Sequence, residues 1–153
     1  MALNDLQWRP LLGVGALSGF AQIAAGVLMY AFGVYFAAWS GLVSRAVLLA
    51  CIAVGTWWYV RRVLGERSTY ATALVIGITI TLCTALLYGT YNVISMSFVY
   101  PHFLEDMARA IPLREPPTFA MVVANNFRGF CLMGAVISAV TAIAFRRRAR
   151  GRA

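Results

Sequence analysis

Residues 70–99 read YATALVIGITITLCTALLYGTYNVISMSFV, a run without a single Asp, Glu, Lys or Arg. A helix rises about 1.5 Å per residue, so this run exceeds the roughly 30 Å hydrocarbon core of a bilayer and must tilt or project from it. Pro101 follows and ends or kinks the helix, because proline lacks the N–H that the ladder needs. A charge-free segment of this length has no place in a small water-soluble domain.

Three further apolar segments flank it. Residues 10–44 carry no charge, and we place a helix from about Leu11 to Phe36, with Trp39, Ser40 and Gly41 as a turn. Leu42 to Val60 is the next span, with Arg45 near its start reaching to headgroup level and Trp57, Trp58 and Tyr59 anchoring its other end. After a polar link at residues 63–69 comes the 70–99 run, whose span is set at about 70–97. The last span is set at about 127–145. The segment Phe119–Asn126 is left between two readings, an interfacial stretch or the start of that helix. The polar loop 101–117 holds a short helix at His102–Ile111. The whole chain, 1–153, is thus one all-α membrane domain of four transmembrane helices ending in a basic tail at 146–153.

Composition agrees. The 153 residues are 61% hydrophobic and 12% charged, against about 45–50% and 25% in soluble domains. Mean hydropathy is +0.77. All 13 basic residues are arginines against five acids, giving a net charge of +8. Five arginines lie in the last eight residues, a pattern of a helix exit facing anionic lipid; no basic groove module accompanies them, so nucleic acid is not an expected partner. The first apolar stretch is far longer than a signal-peptide core and reads as a retained signal-anchor helix. With both termini inside, nine arginines (Arg9, Arg61, Arg62, Arg67 and the five of the tail) fall on the inner side and four (Arg45, Arg109, Arg114, Arg128) on the outer. The positive-inside rule therefore places both ends in the cytoplasm.

Small residues carry the packing signal in lipid, where helices gain little by hiding apolar surface from each other. Gly15 and Gly19 have GxxxG spacing, Gly19, Gly26, Gly33 and Ser40 recur every seven residues, and Ala73, Gly77, Thr81, Ala85 and Gly89 recur every four. Gly134, Ser138 and Ala142 do the same in the last span. These stripes predict packing within one bundle, with dimerisation as the alternative. Gln22, the one amide deep in the first span, is expected to make an interhelical hydrogen bond. Cys51, Cys83 and Cys131 lie in different apolar runs and read as free, packed thiols.

Polar residues inside a span are the functional candidates. Thr81, Tyr88, Asn92 and Ser95 fall near one helical face and form a candidate polar cavity, with Arg128 and its neighbours Asn125 and Asn126 as a polar knot that could meet it. The alternative is that the hydroxyls bond back to their own helix carbonyls. In the loop, His102 with Glu105 or Asp106 is the one constellation with acid–base or metal character. It lacks a third ligand, so neither a metal nor a cofactor is expected. The loop is tethered by prolines at both ends and is expected to offer Arg128 a carboxylate from Glu105 or Asp106.

The run Tyr70-Ala71-Thr72-Ala73 through Leu86-Leu87-Tyr88, then Tyr91 and Pro101-His102-Phe103-Leu104-Glu105, resembles the bacterial family called domain of unknown function 4199. Arg61-Arg62 after the second span and the glycine-containing last helix, Gly134 to Arg148, fit the same pattern; His102 stands where that pattern has Asp. The resemblance implies a four-helix bacterial inner-membrane protein and no catalytic residues. The expected function is a structural or accessory membrane protein that is not an enzyme, with the bilayer, its own copies or a membrane complex as partners. The alternatives are an oligomeric solute or ion passage lined by the third helix, and an intramembrane enzyme using His102 with Glu105 or Asp106.

Overall fold

The computed structural model describes residues 6–64, 69–111 and 117–150, with side chains to Ala144. Five helices follow one another: α1 (Trp8–Ala31), α2 (Ser40–Arg62), α3 (Tyr70–Ile94), α4 (Phe103–Ala110) and α5 (Phe119–Arg150). The last turn of α3 widens at Ser95–Val99 into i→i+5 bonding, closed by Tyr100 N–H donating to the Ser95 carbonyl at 2.7 Å. Four helices are long and apolar enough to cross a membrane: α1, α2, α3 with its widened turn, and α5 to Ala144.

Contacts fix an up-and-down order. Gln22 of α1 meets Ser44 of α2, and the Tyr59 hydroxyl donates to the Gln7 carbonyl at 2.9 Å, so α1 and α2 are antiparallel. Gly15 faces Cys83 and Gly19 faces Leu87, so α1 and α3 run parallel. Gly77 faces Ser138 and Thr81 faces Gly134, which sets α5 antiparallel to α3. The expected glycine packing is therefore within the chain. Gly89 stands apart, with no heavy atom within 4 Å of a built Cβ. A four-residue repeat advances about 40° per step on a helix of 3.6 residues per turn, so a stripe of five positions cannot keep to one face.

Leu11, Leu48, Ile52, Ile76 and Ile80 form an apolar core, but polarity is not sorted as in a soluble bundle. Leu17, Phe20, Leu86, Leu132, Val136 and Val140 are exposed, whereas Ser18, Gln22, Thr56, Thr81, Thr84, Asn92 and Ser138 are buried. Most of the buried hydroxyls bond locally: Thr81, Thr84 and Ser138 each donate to the carbonyl four residues back, whereas that of Thr56 has no partner among the described residues. Gln22 bonds across helices, donating to the Ser44 carbonyl at 2.9 Å and accepting from the Ser44 hydroxyl at 3.3 Å. Interhelical bonds of this kind contribute about 0.6 kcal/mol on average and up to about 2 kcal/mol in membranes. Gln22→Ala is thus expected to cost about 1 kcal/mol, read as a lower midpoint of thermal unfolding in mild detergent, while Thr79→Ala, whose hydroxyl bonds back to its own helix, stays near the parent value.

Three span boundaries differ from expectation. The first helix stops at Ala31, not Phe36, because Gly33 adopts φ +68° and completes a Schellman stop: Val34 N–H donates to the Met29 carbonyl and Gly33 N–H to the Tyr30 carbonyl, both at 2.9 Å. The last helix begins at Phe119, so residues 119–126 belong to it; the Thr118 hydroxyl accepts from Met121 N–H at 3.3 Å and caps it. The same helix runs on to Arg150, so residues 146–150 are helical and not a separate tail. Residues 1–5, 65–68, 112–116 and 151–153, which include Arg67, Arg114 and Arg152 of the arginine count, lie outside the described residues.

Candidate functional site

At the end of the bundle where α1 turns into α2, aromatic residues gather. Ending α1 at Gly33 releases residues 32–39 from helical geometry and lets Tyr35 and Phe36 fold back towards Tyr30. The widened turn of α3 carries the chain to Tyr100, whose ring lies 4.0 Å from that of Tyr30, centroid to centroid. Phe103, the buried residue of α4, sits 5.3 Å from Phe36 and 5.5 Å from Tyr35. Beneath this cluster Tyr88 of α3 is buried, packed on Phe130 of α5 and under Gly26 of α1.

Five of the seven tyrosines in the chain (30, 35, 88, 91 and 100) thus line one small cavity of about 10 Å³, together with Asn92 and Ser95. Its polar groups are unequally served. Tyr30 donates to Asp106 Oδ2 at 3.3 Å, the Tyr35 and Tyr88 hydroxyls meet at 3.4 Å, and Ser95 donates to the Asn92 carbonyl at 3.2 Å. The Asn92 amide nitrogen, on a residue only 5% exposed, has no hydrogen-bond partner among the described residues. An unpaired buried amide costs free energy, about 1–3 kcal/mol.

Next to this cage opens a cleft of about 560 Å³, bounded by the 32–39 turn, α4 and the start of α5. Tyr35 and Phe103 line both spaces and form their common wall. A smaller groove of about 180 Å³ runs between α2 and α5, past Ser44, Arg45, Asn125 and Asn126.

Of the candidates read from sequence, Tyr88, Asn92 and Ser95 line the cage together. Thr81 lies further along α3, back-bonded to Gly77 and packed on Gly134. Arg128 is exposed on α5, and among the described residues neither loop acid pairs with it. The expected link fails for a local reason: α4 satisfies its acids itself. Glu105 lies 3.7 Å from Arg109 and 3.5 Å from His102, and Asp106 lies 3.9 Å from Arg109 while accepting from Tyr30. His102 and Glu105 are well exposed, at 75% and 62% of their side-chain surface.

Sequence reading missed Tyr30, Tyr35, Tyr100 and Phe103 as parts of the site. Their signal was the aromatic enrichment on both sides of Gly33 and Pro101, the two positions where a helix has to stop. No protein-family model, curated protein or solved structure matches this chain.

Proposed function

We propose that the chain is a non-catalytic, multi-pass protein of the bacterial inner membrane, of structural or accessory type, with both termini cytoplasmic and the α4 loop on the outer side. It is the kind of protein that the resemblance of its third helix and loop implies. The observation that carries the reading is the make-up of the bundle: its spans meet through small and hydroxylated residues as well as an apolar core, and many further large apolar side chains face outwards. The oligomeric passage is less well supported, because the polar face that was to line it is covered by the chain's own helices. Thr81, Tyr88, Asn92 and Ser95 are each 6% exposed or less. An enzyme built on His102 and the loop acids has less support again, since these groups are occupied in exposed short-range pairs along α4.

Two measurements test the proposal together. Liposomes holding the purified chain should pass ions and small neutral solutes no faster than empty ones; saturable flux that Asn92→Leu abolishes would favour the passage. A reporter active only in the periplasm, fused after Ala153, should be silent, and the same reporter inserted in the loop at residues 112–116 should be active. The reverse pair of results would overturn the orientation.

A further inference from the structure

The cage and the cleft behave as two parts of one site. The cage is just large enough for one oxygen-sized group, about a water's worth of space. It is lined by rings, and its one orphaned polar atom is a donor, Asn92 Nδ2. The cleft is in the size range of small-molecule sites, about 300–1,000 Å³, and is walled by Phe36, Phe103, Met107 and Val122, with the Asn126 amide at its side. None of the described residues lining either space is charged. The nearest charge, Asp106, lies behind Tyr30 and is shared with Arg109, so a buried anion would meet no positive partner and a buried cation only a carboxylate already engaged.

We infer that this is a binding site for an uncharged lipophilic carbonyl compound, its apolar ring in the cleft and its carbonyl oxygen in the cage, accepting from Asn92 Nδ2. The wall between the two spaces is the door. Tyr35 stands on the non-helical 32–39 turn and is held across the cage by the 3.4 Å contact with the Tyr88 hydroxyl, at the long limit of a hydrogen bond. Turning its ring aside joins cleft to cage without moving a helix. Phe103 on α4 then closes over the bound ring. The site is independent of which side of the membrane the loop faces.

The probe is a benzoquinone carrying a ten-carbon tail, titrated into the full chain in mild detergent and followed by quenching of the tryptophans. Quenching is expected to saturate, and decylbenzene, equally apolar but without a carbonyl, is expected to compete at least tenfold less well. Asn92→Leu fills the amide's place without a donor and is expected to weaken binding about tenfold, the worth of one buried hydrogen bond. Thr90→Ala, on an exposed residue of the same helix, should leave it unchanged. Tyr35→Phe removes only the hydroxyl contact and should raise the association rate several-fold; it decides the matter if Asn92→Leu does not fold. Quenching that rises linearly with probe, equal competition by decylbenzene, or an unchanged rate in Tyr35→Phe would overturn the site and leave the cage as a water pocket.

Discussion

Gly77→Leu is expected to prevent α3 and α5 from packing. A Cβ at residue 77 would lie 2.7 Å from both Cβ and Oγ of Ser138 and 3.2 Å from its Cα, so part of the obstruction is backbone-bound and cannot swing away. Gly134, about one turn along the same seam, is in the same position against Thr81. Overpacking ordinarily costs about 1–3 kcal/mol, and a leucine placed where even a methyl group clashes belongs at or beyond the upper end. In lipid no hydrophobic gain between helices offsets the loss of close approach. The purified variant should unfold at a markedly lower temperature in mild detergent, or fail to elute as a compact species at all. Gly89→Leu, on the same helix with open space around it, is the matched control and should be neutral or slightly stabilising through helix propensity, by up to about 1 kcal/mol. Equal behaviour of the two variants would mean that the seam does not hold the bundle together.

That contrast also shows what the sequence could and could not say. The spans were legible because a charge-free run of about 20 residues has few alternatives, and Gly15, Gly19, Gly77 and Gly134 were legible as close contacts because small residues in lipid have little other use. Gly33 was misread for the same reason. Its seven-residue spacing from Gly19 and Gly26 placed it in a packing stripe, whereas its part is to adopt φ +68° and stop α1. Spacing cannot tell a glycine that admits a neighbour from one that reverses the chain. The error lengthened the first span by five residues, from Ala31 to Phe36, and hid the segment that supplies Tyr35 and Phe36 to the site.

The start of α5 shows the converse problem. Asn125, Asn126 and Arg128 lower the hydropathy of its first three turns, and a hydropathy reading then prefers to begin the helix at residue 127. The cap at Thr118, directly after Pro117, was present in the sequence and carried the better signal, because capping depends on the local backbone and not on the polarity that follows. As for the site, three of its polar members lay on one face of α3 and could be found by helical spacing. Of the tyrosines opposite them, Tyr30 closes α1, but Tyr35 comes from a turn and Tyr100 from the end of a widened helix, where no periodicity exists to align them.

The second large effect concerns α4, and it follows from how little holds that helix in place. It has eight residues, well below the length of about 12–15 at which even good helix formers are stable alone in water. Its pairs of Glu105 and Asp106 with Arg109 are exposed, and such pairs contribute only about 0.2–0.5 kcal/mol each. Its one buried side chain is Phe103, 8% exposed and set among Tyr30, Tyr35 and Phe36, with Leu104 and Met107 partly buried beside it and Asp106 accepting from Tyr30. Truncating a buried phenylalanine costs about 3–5 kcal/mol, and here the loss falls on a segment that has no other anchor of comparable size. Phe103→Ala should therefore undock and unfold α4 while the four long helices, whose contacts lie elsewhere, keep their thermal midpoint within a few degrees. Trypsin reports the difference. The Arg109 side chain is exposed at 76%, but its peptide bond is protected while the helix persists. Cleavage after Arg109 should accelerate by about a hundredfold or more, since every 1.4 kcal/mol is worth a factor of ten in the population of the open state. Phe103→Leu, which keeps an apolar side chain in the aromatic pocket, should recover most of the protection. An unchanged cleavage rate in Phe103→Ala would show that α4 is held by its charged face instead, and that the roof of the cleft does not depend on the rings beneath it.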